Sequence, residues 1–188
     1  MPKIDNIEET PNPNAVKFIL KEPVTAGTTR SFHSAEEAAG DPLAGALFTV
    51  GDVASVFYMD KMVTVEKIEE ADWDDLLPRL AVPIRAAEAV KTNGAPAPAQ
   101  AGVGGALGAL MSDDPRLARI NEMLDERIRP YLASDGGWLE VLSLDGHTLT
   151  IHYQGACGSC PSSLTGTLMA IENMIRQEID PEIEVVAV

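Results

Sequence analysis

Residues 92–110, "TNGAPAPAQAGVGGALGAL", decide most about what this chain can fold into. The stretch carries no charge, and 13 of its 19 residues are Gly, Ala or Pro. It has little to bury and reads as a flexible tether, spanning an r.m.s. distance of roughly 24 Å on the random-coil rule for such linkers. The 188 residues therefore divide into two small domains, 1–91 and 111–188, joined by a linker over 92–110. "GVGGALG" within it is no nucleotide loop, because position 107 is Leu where the phosphate-cradling pattern needs a third glycine.

Charge removes two classes of partner from both halves. The net charge is -15, and residues 1–90 and 111–188 each sum to -8. Without clustered Lys and Arg, neither nucleic acid nor an anionic membrane surface is an expected partner. No apolar run approaches the ~20 residues of a membrane span, and the amino terminus lacks the pattern of a targeting segment. Cys157 and Cys160 are the only two cysteines. A disulfide between them would close too short a loop to act as a staple, so a reducing compartment is expected. The reading is cytoplasmic; a mature organellar protein would look the same.

In the first half, "AVKFIL", "VASVFYM" and "MVTVEKI" read as strands, the last two joined tightly at Asp60 and Lys61. A helix is expected from Asp72 through Val90, kinked or broken by Pro78 and Pro83. No residues here are spaced for catalysis, and His33 reads as a surface histidine. In the second half Asp114 and Pro115 open a helix with a stripe of Leu117, Ile120, Leu124, Ile128 and Tyr131. "WLEVLSL" and "TLTIHYQ" follow as a hairpin, with Asp145 and Gly146 in a type I′ turn. His152 and Gln154 fall on its polar face and His147 in the loop. Pro161 starts a second helix with a stripe of Leu164, Leu168, Ile171 and Ile175, and "EIEVVAV" closes the chain as a strand. The fold class is α+β: two small α+β domains, the second running helix, strand, strand, helix, strand.

The chemistry lies in "GACGSCPSS". If Pro161 is the first helical residue, Cys160 is its N-cap and both sulfurs face the positive end of a helix, which favours thiolate. Gly155 and Gly158 allow close approach to a bare backbone. Three uses are open. A dithiol oxidoreductase fits a strand before the motif and a helix after it, but a thioredoxin-like helix starts near the first cysteine, and here an antiparallel hairpin leads in. Structural zinc wants four ligands, and the chain offers two thiols with His152 at a stretch. An iron-sulfur cluster wants four thiolates, a count that closes only when two chains share it. Haem attachment fails because residue 161 is Pro.

The same residues carry a family resemblance. "GACGSCPSS", preceded by "RPYLASDGG" and followed by "LTGTLMAIENMI", resembles the NifU-type carboxy-terminal domain. "TPNPNAVKFIL" with "VTVEKIEEADWDDLLPRL" is similar to the amino-terminal domain of the Nfu iron-sulfur cluster carriers. The resemblance implies a carrier and no enzyme. Cys157 and Cys160 would ligate a cluster, usually 4Fe-4S, shared by a homodimer, taken from an upstream scaffold and passed to apo-proteins. Gly155, Gly158 and Pro161 would shape the loop, and Asp135, Gly136 and Gly137 the turn into the first strand. Trp138 stands where many relatives have an acidic residue and is expected to cover the hydrophobic core. The amino-terminal domain is expected to play a part in choosing recipients, and exchange of Lys17, Phe18 or Trp73 is expected to lower the transfer rate.

Overall fold

Two hydrophobic cores with no residue in common organise the molecule. The computed structural model describes residues 2–89, 114–156 and 161–188, the last segment with side chains from residue 166 onward. The linker expected over 92–110 lies outside the described residues. The chain separates into two compact units, 1–100 and 101–188. No described helix is long and apolar enough to cross a membrane.

The first unit contains β1 (Ile4–Glu9), β2 (Ala15–Leu20), β3 (Thr29–Phe32), a 3-10 turn (Glu37–Gly40), α1 (Pro42–Val50), β4 (Val53–Met59), β5 (Met62–Lys67) and α2 (Trp73–Ala86). Its strands form one antiparallel sheet in the order β1-β2-β5-β4-β3. Phe18, Val56, Val63 and Val65 from the sheet pack with Leu43 and Leu47 of α1 and Leu76, Leu80 and Ile84 of α2. The β4–β5 connection is the tight one expected: Met59 pairs with Met62, and Asp60 takes a positive φ of 49°.

Three departures have physical reasons. Helix α2 runs through Pro78 and Pro83. The missing N–H of Pro78 frees the carbonyl of Asp74 and that of Pro83 frees the carbonyl of Arg79; both residues are exposed, so water can satisfy those groups. The buried Leu76, Leu80 and Ile84 hold the helix to the sheet regardless. Strand β1 gave no alternation to read, because it is an edge strand exposed along most of its length. Phe18 and Lys17 lie inside the fold, at 0% and 6% exposure, with Lys17 paired to Glu8 at 2.8 Å. They pack within the fold and are not part of its exposed surface.

The second unit runs α3 (Pro115–Arg127), α4 (Arg129–Ser134), β6 (Gly137–Asp145), β7 (Thr148–Gly155), α5 (Pro161–Glu178) and β8 (Glu184–Ala187). Its sheet order is β6-β7-β8, antiparallel between β6 and β7 and parallel between β7 and β8. Asp114 caps α3 by accepting from the Arg116 N–H at 2.9 Å. The expected single stripe changes phase at Ile128, whose φ of -113° ends α3 ahead of Pro130. Leu132 therefore enters the core at 5% exposure, and Tyr131, expected inside, is 72% exposed.

The hairpin turn also shifts by one residue. Asp145 still pairs with Thr148, so the loop is Gly146–His147, and of Asp145 and Gly146 only the glycine has positive φ, at 64°. That matches glycine at the first central position of a type II′ turn in place of type I′. A Cβ added at Gly146 meets nothing within 4 Å, so Gly146→Ala carries only the conformational penalty, about 1–2 kcal/mol. The expected result is a lowered urea midpoint for the second unit alone, read by circular dichroism.

Candidate functional site

Strand β7 ends at Gly155, with a φ of 68°, and α5 begins at Pro161, so the two cysteines belong to the connection between them. Cys157, Gly158 and Cys160 lie outside the described residues; Ala156 and Pro161 bound them. The connection is better fixed at its entrance than spacing alone implied. Gly137 pairs with Gly155, and the Ala156 N–H donates to the Gly136 carbonyl at 3.2 Å. The "SDGG" turn, with Gly136 at a φ of 78°, thus lies against the residues that deliver the chain to Cys157.

The exit is the first turn of an 18-residue helix. Its early N–H groups have no intrahelical partners, and its dipole places partial positive charge there. Both favour thiolate over thiol, and thiolate is the form that binds metal. The parallel return of β8 was not read from the sequence: β7, α5 and β8 make a βαβ crossover. A helix of 18 residues covers about 27 Å, bringing the chain back to the end where β7 began. The described residues on either side of 157–160 are thus the carboxyl end of a strand and the amino end of its crossover helix, a recurrent place for anionic groups.

The open face of the sheet next to this segment carries a polar cluster. The register sets Trp138 opposite Gln154 and Glu140 opposite His152. Leu139 joins the core and Trp138 does not, so Trp138 lies on the other face and does not cover the core as expected. Arg129 sits over its ring at 5.5 Å and donates to the Leu139 carbonyl at 3.0 Å and to Asn121 at 2.9 Å. Gln154, expected on the polar face, is there but only 7% exposed. Its NH2 donates to Glu140 Oε2 at 3.0 Å. Burial pushes the Glu140 carboxyl up, against the lowering influence of Gln154 and Arg129.

The histidines stand apart from this geometry. His33 contacts the hydroxyl of Ser31 at 3.4 Å. His147 approaches Asp180 at 3.5 Å and Glu182 at 3.3 Å, among the described residues the one grouping of three potential metal ligands. Arg116 already occupies Asp180 at 2.6 Å and helps hold its carboxyl below the usual range, behind the Glu182 N–H. The loop sits at the far end of β7, whose eight residues separate it from Gly155 by about 25 Å. His152 is half-buried opposite Glu140, on the open face of the sheet.

Comparison with known proteins adds to this geometry. Residues 4–89 match the family described as scaffold protein Nfu/NifU N terminal, and residues 120–186 match the NifU-like domain. The chain is similar to the human protein named NFU1 iron-sulfur cluster scaffold homolog, mitochondrial: 37% identical, over 94% of this chain and 68% of the relative. It is 36% identical to the Drosophila willistoni protein of the same name, over 94% of this chain and 60% of that one. Among such curated relatives the chain spans between 58% and 68% of their length.

Proposed function

Since the chain belongs to the Nfu/NifU family, we propose that it is an iron-sulfur cluster carrier whose ligands are Cys157 and Cys160. The observation that supports this most is what flanks residues 157–160: a strand end pinned to the Gly136 turn before them and the amino end of α5 after them. Each chain supplies two thiolates and a cluster requires four, so a homodimer holds it, and 4Fe-4S is the nuclearity proposed. Gly155, Gly158 and Pro161 shape the segment. The cluster is cargo. It arrives from an upstream scaffold and leaves to apo iron-sulfur proteins by ligand exchange: a recipient thiolate forms an iron-sulfur bond as the bond to Cys157 or Cys160 breaks. The incoming thiol gives up a proton that the released thiolate can take, and no electron is transferred.

No catalysed conversion is proposed. A dithiol oxidoreductase is disfavoured because α5 begins after the second cysteine and an antiparallel hairpin leads into the motif. The compartment proposed is a reducing one, the cytoplasm by the sequence reading, while the relatives are mitochondrial by name. The first unit, without cysteine, is proposed to select recipients through its exposed surface.

The test is iron, acid-labile sulfide and zinc measured per chain across a sizing column, on full-length protein purified without oxygen. About two irons and two sulfides per chain, confined to the dimer peak, are expected from the two-ligand count. A monomer without iron after reconstitution overturns the carrier reading, and stoichiometric zinc would move it to a metal-linked dimer.

A further inference from the structure

We propose that a second copy of this chain docks through the open face of the β6-β7-β8 sheet, with the two-fold axis running along β7. This names the surface of the dimer and rests on Cys157 and Cys160 being the cluster ligands.

The sheet is covered on one side only. Leu139, Leu149, Ile151, Tyr153 and Val185 join the core with the buried residues of α3, α4 and α5. Their alternating neighbours Trp138, Glu140, Thr150, His152 and Val186 therefore line the other face. Val186 is 38% exposed there, and Val188, whose N–H continues the ladder to the Ile151 carbonyl at 3.0 Å, is 66% exposed.

Both edges of the same sheet are closed by side chains. On β8 the Val185 N–H donates to Glu172 at 3.1 Å, and the Ile183 carbonyl just before the strand accepts from Arg176 at 2.8 Å. On β6 the Leu139 carbonyl is taken by Arg129 at 3.0 Å. A strand from a second copy finds these edge groups occupied. Antiparallel edge pairing would also set the two Gly155 ends at opposite ends of the joined sheet. Face-to-face packing does the reverse. With the axis along β7, the two strands run the same way about 10 Å apart, their carboxyl ends side by side and Thr150 facing its own copy.

Size sets the strength of this contact. Eight residues of β7 and three strands give a face of about 26 by 14 Å, or roughly 370 Å² per chain, under half of the ~800 Å² per partner that a stable interface buries. The charge of -8 on each second unit opposes the approach further. The face alone does not hold two chains; a cluster bound by both supplies the rest, so the dimer forms with the cluster and dissolves without it.

The experiment uses full-length protein reconstituted anaerobically with iron and sulfide, as parent, Thr150→Lys, Thr150→Glu and Val186→Lys. Sedimentation velocity reads the dimer, and visible absorption reads the cluster. The parent should be monomeric without cluster and dimeric with it. Each single variant sets like charges against each other and should weaken the loaded dimer about a hundredfold, while the cluster-free melting temperature stays near the parent's. Thr150→Lys and Thr150→Glu mixed in equal amounts should restore the dimer, because opposite charges then meet across the axis. Val186→Lys keeps the test open if the Thr150 variants do not fold. Loaded dimers of parental strength in every variant overturn the assignment and leave the carrier reading standing. So does a mixture no better than either variant alone, which marks a purely structural effect. A parent that takes up no cluster defeats both.

Discussion

A Cys157→Ala, Cys160→Ala double variant should fold as the parent does and carry no iron. If the two thiols are half of a four-thiolate set, their loss from both chains of a dimer leaves no ligand at all. The expected change is from about two irons per chain to background, by metal analysis and visible absorption after anaerobic reconstitution. The variant should also leave the dimer peak, because in the proposed dimer a shared cluster joins the chains. Stability should hold: the second core is built from Ile120, Leu124, Leu139, Ile151, Ile171 and their neighbours on the strands and helices, and a pair three positions apart contributes little as a cross-link. Melting of the cluster-free variant within about 1 kcal/mol of the cluster-free parent is therefore expected, as for substitutions outside a core. Iron retained at the parental level would show that other groups hold the cluster. His147, Asp180 and Glu182 would be the first to test, as the remaining described group with metal-binding side chains.

The parts of this fold that were legible in the sequence are those where one local rule acts without competition. Asp114 ahead of Pro115 and Pro161 after Cys160 marked helix starts, and both starts are where those residues put them. Leu149, Ile151 and Tyr153 alternate and are buried. Misreadings arose where a second influence overrode the first. A proline two residues past Ile128 shifted a helical phase, so Leu132 replaced Tyr131 inside. Tertiary packing carried α2 through two prolines. Helix α1 went unread because Gly45, Thr49 and Val50 are poor helix formers, although Asp41 before Pro42 is the same start signal that was recognised at Asp114. For the site, sequence supplied the two sulfurs and the helix behind them. It did not supply the Glu140–Gln154 pair or the Gly136–Ala156 bond, which come from strand register, and no spacing rule along one strand reveals who stands opposite on the next.

Asp41→Ala should have the largest effect on the first unit. Asp41 is 6% exposed. One carboxylate oxygen accepts from the Leu43 and Ala44 N–H groups at 3.0 and 2.9 Å, which starts α1, while the other takes Arg30 at 2.5 Å and the hydroxyl of Tyr58. Loss of the cap costs about 1 kcal/mol, and stranding the buried Tyr58 hydroxyl adds roughly 1–3 kcal/mol. Arg30 is half-exposed, so its ion pair adds little. The sum, about 3 kcal/mol, corresponds to a fall of roughly 15 °C in the melting temperature of a domain this size. The second unit, with its separate core, should melt unchanged. Acid should reproduce part of the effect. Burial raises the Asp41 carboxyl, but the hydrogen bonds from Tyr58, Ala44 and Arg30 outweigh it and hold the group below its usual value. A depressed folded-state pKa means that the stabilisation is complete above the unfolded value, about 3.9, and is lost as pH falls through the folded one. In the parent the first unit should therefore lose stability below about pH 4 more steeply than in Asp41→Ala, where this titration is absent. Tyr58→Phe should fall between them, since Asp41 keeps its cap and Arg30 but loses the hydroxyl that helps hold its proton off. Equal acid slopes in all three proteins would mean that Asp41 is not the group whose protonation loosens this unit.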